Sequence, residues 1–249
     1  MLVNTTGSAS ASDARKLADA LNAESDLVVD VTIAKNYAEV LSAICTNKAY
    51  VVSLSGLGYL SASAQGCAEA IYITEIDGKT SSQGELITAV GRNIFSVQGI
   101  KGYRFCRPNA RSVNSWIVPA VAIQAAGLDP LRDLYSVTDT ETDEGVLKAL
   151  VELRCDAGAM ALGVEKTSDH PERFIVLQEL PPVPNETIAI SSRLEPGIKE
   201  QVLKLLENHR DDLVKLMGAE ALSVGGDSDY ADLRALFEEA NFDLTTLGQ

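Results

Sequence analysis

The stretch FCRPNARSVNSWIVP, residues 105–119, gathers residue types that could hold an anion. Ser112, Asn114 and Ser115 stand just before an apolar helical run, with Arg104, Arg107 and Arg111 close by in sequence. Free N–H groups and the positive dipole end at a helix start favour negative charge, and hydroxyls add donors. The plainer reading is that Ser and Asn are simply preferred helix caps, and that the arginines are surface charge. Pro119 has no N–H and belongs near the first turn, which limits how far back the helix can begin.

Other stretches carry weaker chemistry. SLSGLGYLS sets Gly56 and Gly58 after a strand, as a dinucleotide fingerprint would begin. The third glycine position is Ser61 and no acidic residue closes the pattern, so no nicotinamide or flavin site is expected. Tyr59 in that stretch is either a core aromatic or a side chain that closes over a ligand. The run Asp139–Glu144 precedes a helix, where negative charge complements the dipole. Cys45, Cys67, Cys106 and Cys155 form no CxxC pair, and His170 and His209 lie far from them in sequence, so no zinc site is expected. The four cysteines fit two disulfides or four buried thiols equally well. There is no GxSxG elbow, P-loop or HExxH, and no catalytic residue, cofactor or metal is expected; an enzyme here would have to work with carboxylates alone.

The elements that must position these residues alternate. MLVNTT, DLVVDVTIA, AYVVSLS, AEAIYITEID, GELITAVGR, YRFCRP, DLYSVT, CDAGAMAL, RFIVLQEL and TIAISSRL have strand character. Between them DARKLADALNAE, NYAEVLSAICTN, SWIVPAVAIQAAGL and DEGVLKALVELR have helical spacing, and the C-terminal part is mostly helical. The order implies an α/β fold with mostly parallel sheets and flanking helices, and ligands at the carboxyl ends of strands. That rule selects the loops TTGSASAS, SLSGLGYLS, RPNARSVNS, TDTETDE and DAGAMALG.

Composition sets limits on partners. With 249 residues, 46% of them hydrophobic, the chain can bury one large core or two moderate ones. The net charge of −14 opposes binding to nucleic acid or anionic lipid. No run approaches the roughly 20 apolar residues of a spanning helix. MLVNTTGSAS has neither a basic n-region nor an apolar h-region, so no leader is expected in the sequence as it stands; a mature exported protein would look the same.

Taken in order, FCRPNARSVNSWIVPAVAIQAAGLDP, VLKALVELRCDAGAM, PPVPNETIA and DSDYADLRALFEEANFDL resemble the phosphate/phosphite/phosphonate-binding proteins of ABC importers. SGLGYLSA is similar to that family's tyrosine-bearing turn. The resemblance covers nearly the whole chain. It implies the two-lobed type II periplasmic binding fold, with crossovers near ELITAVGRN and ETIAISS. Lobe 1 would comprise residues 1–90 and 192–249, and lobe 2 residues 91–191, with a small ligand held between them. It implies an extracytoplasmic receptor, periplasmic or extracellular and with or without a lipid anchor. The expected partners are a small-molecule ligand and an ABC permease, and the receptor is expected to be a monomer. It also implies the disulfides Cys45–Cys67 and Cys106–Cys155.

The ligand residues implied by the resemblance are Tyr59, Ser112, Asn114, Ser115, Asp143 and Glu186. Several depart from the family pattern. Ser112, Val113, Asn114 and Ser115 stand where relatives commonly read Ser-Thr-Ser-Gly. Asp143 replaces a histidine, and Met160 replaces a hydroxyl residue. Glu186 matches an acidic position that faces a ligand amine in some relatives. The first expectation is a phosphonate-, phosphite- or aminophosphonate-like ligand at the helix start. The alternatives are a cationic, zwitterionic or neutral solute, an enzyme using Asp143 and Glu186, or a partner-recognition module with Val113, Met160 and Trp116 filling the site.

Overall fold

The structure, a computed structural model, describes residues 1–3 and 10–247. Most of the candidate loop TTGSASAS lies outside the described residues. In chain order the elements begin with β1 (Leu2–Val3), α1 (Ala11–Ala23), β2 (Thr32–Ile33), α2 (Tyr37–Cys45), β3 (Val51–Leu54), α3 (Gly56–Ala64) and β4 (Ala68–Glu75). Next come β5 (Ser81–Ser82), β6 (Gly84–Ala89), β7 (Arg104–Arg107), α4 (Val118–Ala125), β8 (Ser136–Asp139), α5 (Asp143–Val151) and β9 (Ala157–Ala161). The chain ends with β10 (Phe174–Glu179), β11 (Val183–Pro184), β12 (Thr187–Ser191), α6 (Pro196–Asn208), α7 (Arg210–Met217), β13 (Ala221–Val224) and α8 (Ala231–Glu239). Among the described residues no helix is long and apolar enough to cross a membrane.

Caps start the helices where the sequence offers them. The side chains of Ser10, Asn36, Ser55 and Thr142 each accept the N–H three residues on, opening α1, α2, α3 and α5. Each such cap stabilises its helix by about 1 kcal/mol.

The chain divides into two compact units. Unit 1 comprises Met1–Ser81, Pro184–Ala231 and Leu244–Gln249, and unit 2 comprises Ser82–Val183 and Asp232–Asp243. Unit 1 is built on a six-stranded sheet in the order β13-β4-β12-β3-β1-β2. Leu17 and Leu21 of α1, Leu205 and Leu206 of α6, and Leu213 and Leu216 of α7 form a core with Val51, Tyr72, Ile188 and Leu222 of the sheet. Strand residues alternate faces, so Val52 and Leu54 point the other way, where α2 and α3 pack. Unit 2 is built on a five-stranded sheet in the order β10-β6-β9-β7-β8. One face, with Ile87, Cys106 and Met160, packs on Val146, Leu147 and Leu150 of α5. On the other, the Phe105 and Trp116 rings lie 5.9 Å apart at the entry to α4.

Both sheets are mixed, where the element order predicts mostly parallel ones. β1 pairs in parallel with β2 and β3, and β7 with β8 and β9. The pairs β3–β12, β4–β12, β4–β13, β6–β9 and β6–β10 are antiparallel. β4 and β12 reach their neighbours by passages that are not a strand–helix–strand crossover, so parallel order is not imposed.

The unit boundaries also differ from residues 90 and 192. β5 and β11 pair with each other as a separate two-stranded sheet. The chain changes unit at these short strands, before GELITA and TIAIS, so β6 joins the second sheet and β12 the first. The segment Asp232–Asp243 belongs to unit 2, where the Gln124 side chain donates to the Ala240 carbonyl at 2.9 Å. Of DLVVDVTIA only Thr32–Ile33 is a strand, and Val28 is almost fully exposed. β2 is an edge strand, paired only with β1, so a longer strand would have no second neighbour.

The structure joins Cys45 to Cys67 and Cys106 to Cys155, with Cα–Cα distances of 4.9 and 5.9 Å. These are the two pairs that the family resemblance implies.

Candidate functional site

In unit 2 the helix-opening turn is wider than an α-turn. Residues Val113–Ile117 form a π-type turn in which the Ile117 N–H donates to the Ser112 carbonyl at 2.9 Å. Pro119 follows at the second position of α4, where it has no N–H to contribute. The Asn114 carbonyl lies against Gly84: a Cβ added at residue 84 would stand 1.9 Å from that oxygen. Glycine is therefore required there by close backbone approach.

Four of the six expected site residues lie in this unit. Ser112 Oγ accepts the Ser115 N–H at 3.2 Å, which is cap geometry. Asn114 Nδ2 donates to Ser82 Oγ at 2.7 Å, while its buried Oδ1 has no partner. Ser115, only 3% exposed, donates its hydroxyl to Asp143 Oδ1 at 3.0 Å. The Ala161 N–H, at the end of β9, donates to the same carboxylate oxygen at 3.2 Å. The turn that follows β7, the carboxyl end of β9 and the first turn of α5 thus meet at Asp143, as the strand-end rule expects.

Two of the three arginines near the turn are held by carboxylates. Arg104 makes a two-pronged contact with Asp156, both distances 2.9 Å, and Arg92 reaches the same carboxylate at 3.2 Å. The Arg104 hydrogen bonds hold Asp156 below the usual carboxylate range. Arg107 pairs with Asp139 at 2.7 Å and stacks 4.1 Å over the Trp116 ring. Arg111 is exposed. Two of the three cations that drew attention in the sequence, Arg104 and Arg107, serve the fold. Met160 is fully buried in the α5-facing core, and Trp116 is buried against Phe105 and Arg107.

The other two expected residues lie in unit 1. Glu186, half-buried beside β12, accepts from the Tyr37 hydroxyl at 3.2 Å, and its buried Oε1 has no partner. Burial raises its pKa to about 7, against hydrogen bonds from Tyr37 and Ser53 that lower it. Burial and the adjacent Glu186 raise the Tyr37 phenol in turn. Tyr59 is 1% exposed and lies in the unit 1 interior, its ring centroid 4.3 Å from that of Tyr230. Its hydroxyl donates to Asp227 at 3.2 Å and accepts the Ala70 N–H at 3.2 Å.

Sequence reasoning passed over Tyr37, Ser82 and the Ala161 amide, which partner the expected residues. Tyr37 opens an ordinary amphipathic helix, and a backbone amide carries no side-chain signal. A second omission is the carboxylate pair Glu85 and Glu165, both buried. Burial first, then the hydrogen bond and charge of Glu165, raise the Glu85 pKa to about 8. An acid inside the apolar strand GELITA was the available sign.

Comparisons with known proteins agree with this architecture. The family described as "ABC transporter, phosphonate, periplasmic substrate-binding protein" matches residues 2–242. Structures of XAC2383 from Xanthomonas citri are similar at 13% identity and a TM-score of 0.62. The form bound to chloride ion covers 97% of both chains, and the form bound to ATP 96% of both. PhnD1 from Prochlorococcus marinus, in complex with methylphosphonate, is similar at 14% identity and a TM-score of 0.52, covering 97% of this chain and 98% of that one. At these identities the likeness is one of fold.

Proposed function

Because the chain belongs to the phosphonate-type periplasmic substrate-binding proteins of ABC transporters, we propose that it is the receptor for a small amine-bearing solute, with zwitterions such as aminophosphonates as the leading class. Membership gives the receptor role, the permease partner and the extracytoplasmic location. The amine rests on one observation: in each unit the expected site offers a carboxylate oxygen without a protein partner. Glu186 Oε1 is buried and unpartnered in unit 1, and Asp143 Oδ2 accepts no hydrogen bond among the described residues of unit 2. Carboxylates left open in this way suit an ammonium group, which brings donors and the opposite charge.

In unit 2 we assign ligand contacts to Ser112, Asn114, Ser115 and Asp143; in unit 1, taken by itself, Glu186 is the candidate for an amine. Tyr59 serves the unit 1 interior. The receptor acts as a monomer and turns nothing over, because binding and release are all that delivery to a permease requires. The second reading is a plain oxyanion receptor, favoured by the position of Ser115 at the opening of α4.

A thermal-shift screen separates the two, since a ligand bound only by the native state raises Tm. The expected result is a shift with 2-aminoethylphosphonate or another amine-bearing solute that exceeds the shift with methylphosphonate, phosphite or phosphate. A larger shift with an amine-free oxyanion would overturn the amine assignment. Steady turnover of any panel compound would overturn the receptor assignment.

A further inference from the structure

The hydrogen-bond account of the unit 2 site is lopsided. The Ser115 hydroxyl and the Ala161 amide are both committed to Asp143 Oδ1, the Ser115 amide to Ser112 Oγ, and Asn114 Nδ2 to Ser82. The acceptors are not matched: Asn114 Oδ1 is buried without a partner, and Asp143 Oδ2 accepts nothing among the described residues. The Ser115 hydroxyl and the Ala161 amide, which could have received an external oxyanion, therefore already hold an internal one. Arg104 and Arg107 are neutralised by Asp156 and Asp139, while Arg111, next to Ser112, is exposed to solvent.

We infer that Asp143 is the charge selector of this receptor: its carboxylate occupies the oxyanion donors, repels amine-free oxyanions, and leaves the site to a solute that presents an ammonium or other N–H donor. This rests on the receptor reading above and deepens it by naming one residue as the determinant of ligand charge. A like charge at hydrogen-bond distance disfavours a second anion, and a ligand oxyanion would also have to displace Asp143 from two donors.

Asp143→Asn tests the inference with little change of shape. The amide oxygen can still accept from Ser115 and Ala161, the negative charge is gone, and an N–H₂ donor replaces the open carboxylate oxygen. Glu144→Gln, on the exposed next residue of the same helical turn, removes the same formal charge and serves as the control. Titration calorimetry with methylphosphonate and with 2-aminoethylphosphonate is run on the natural protein and both variants at pH 7.

The expected result is at least a tenfold gain in methylphosphonate affinity for Asp143→Asn. The preference for the amine-bearing compound should fall by at least tenfold, and Glu144→Gln should stay within twofold of the natural protein. An unchanged methylphosphonate affinity in Asp143→Asn overturns the inference, as does an equal gain in Glu144→Gln. If Asp143→Asn fails to fold, Asp143→Ala carries the same expectation. Submicromolar methylphosphonate binding by the natural protein refutes the inference without any variant. The receptor reading is judged separately: it survives if the natural protein binds some solute while Asp143→Asn gains nothing. It falls if native mass spectrometry finds no solute on any of the proteins.

Discussion

Replacing Glu85 with Gln should make the protein more stable as pH rises, in contrast to the usual cost of altering a core residue. Glu85 is 0% exposed on β6, on the same face as Ile87 and opposite Met160 on β9. Its carboxyl group meets Glu165, with Lys166 near enough to offset part of the repulsion, and Glu179 is its register partner on β10. Burial and Glu165 together raise its pKa to about 8 from an ordinary 4.5. The unfolded chain releases this proton near 4.5 and the folded chain holds it until about 8, so the native state binds more protons between those values. Stability contributed by the neutral carboxyl is then fully present below 4.5 and lost as pH climbs through 8.

At about 1.4 kcal/mol per pH unit, and discounting for the charge of Lys166 and local relaxation, the loss is on the order of 3 kcal/mol. Glu85→Gln removes the titration with almost no change of shape. Denaturant unfolding at pH 5, 6.5 and 8.5 reads the effect. The variant should match the natural protein near pH 5 and exceed it by roughly 3 kcal/mol at pH 8.5. A difference between the two proteins that stays constant across this range would refute the reasoning.

Three further expectations concern the scaffold. Removing Cys106–Cys155 as an Ala pair should cost roughly 4 kcal/mol, and removing Cys45–Cys67 roughly 3, by the loop-closure relation; the sequence separations are 49 and 22 residues. Urea midpoints check the order, and a larger loss at Cys45–Cys67 would contradict it. Gly84→Ala should cost about 2–3 kcal/mol, since its methyl meets the Asn114 carbonyl and backbone must shift; a fall in Tm accompanied by weaker ligand binding is the expected readout, and an unchanged Tm would count against the contact. Tyr59→Phe should lose about 1–2 kcal/mol of stability, because the Ala70 amide and Asp227 lose a buried partner. Its ligand affinity should stay within twofold, and a tenfold loss would return Tyr59 to the ligand surface.

The α/β order and the helix opening near Ser112 were legible because they depend on local chemistry. The caps of α1, α2, α3 and α5, at Ser10, Asn36, Ser55 and Thr142, rest on the same chemistry but were not singled out. The disulfide pairing was not legible in spacing alone and came from the family resemblance. Strand direction was misjudged because alternating strands and helices suggest parallel pairing, whereas β4, β6 and β12 take antiparallel partners from distant parts of the chain. The sheet that receives each of GELITA and TIAIS was not legible for a related reason: their patterns are equally apolar, and only pairing decides. At the site, residue types were readable but their commitments were not. Arg104 and Arg107 looked available until Asp156 and Asp139 were found beside them, and Ser115 looked like a donor for a ligand until Asp143 was found holding it.

The two sulfur bridges join neighbours along the chain, the first cysteine to the second and the third to the fourth, and each stays within its own unit. A chain threading out through a membrane pore presents its cysteines in just this order. An oxidant that couples thiols as they emerge would therefore form the correct pairs unaided, with no reshuffling by an isomerase. Maturation of this protein should depend on how fast it is oxidised, and hardly at all on proofreading.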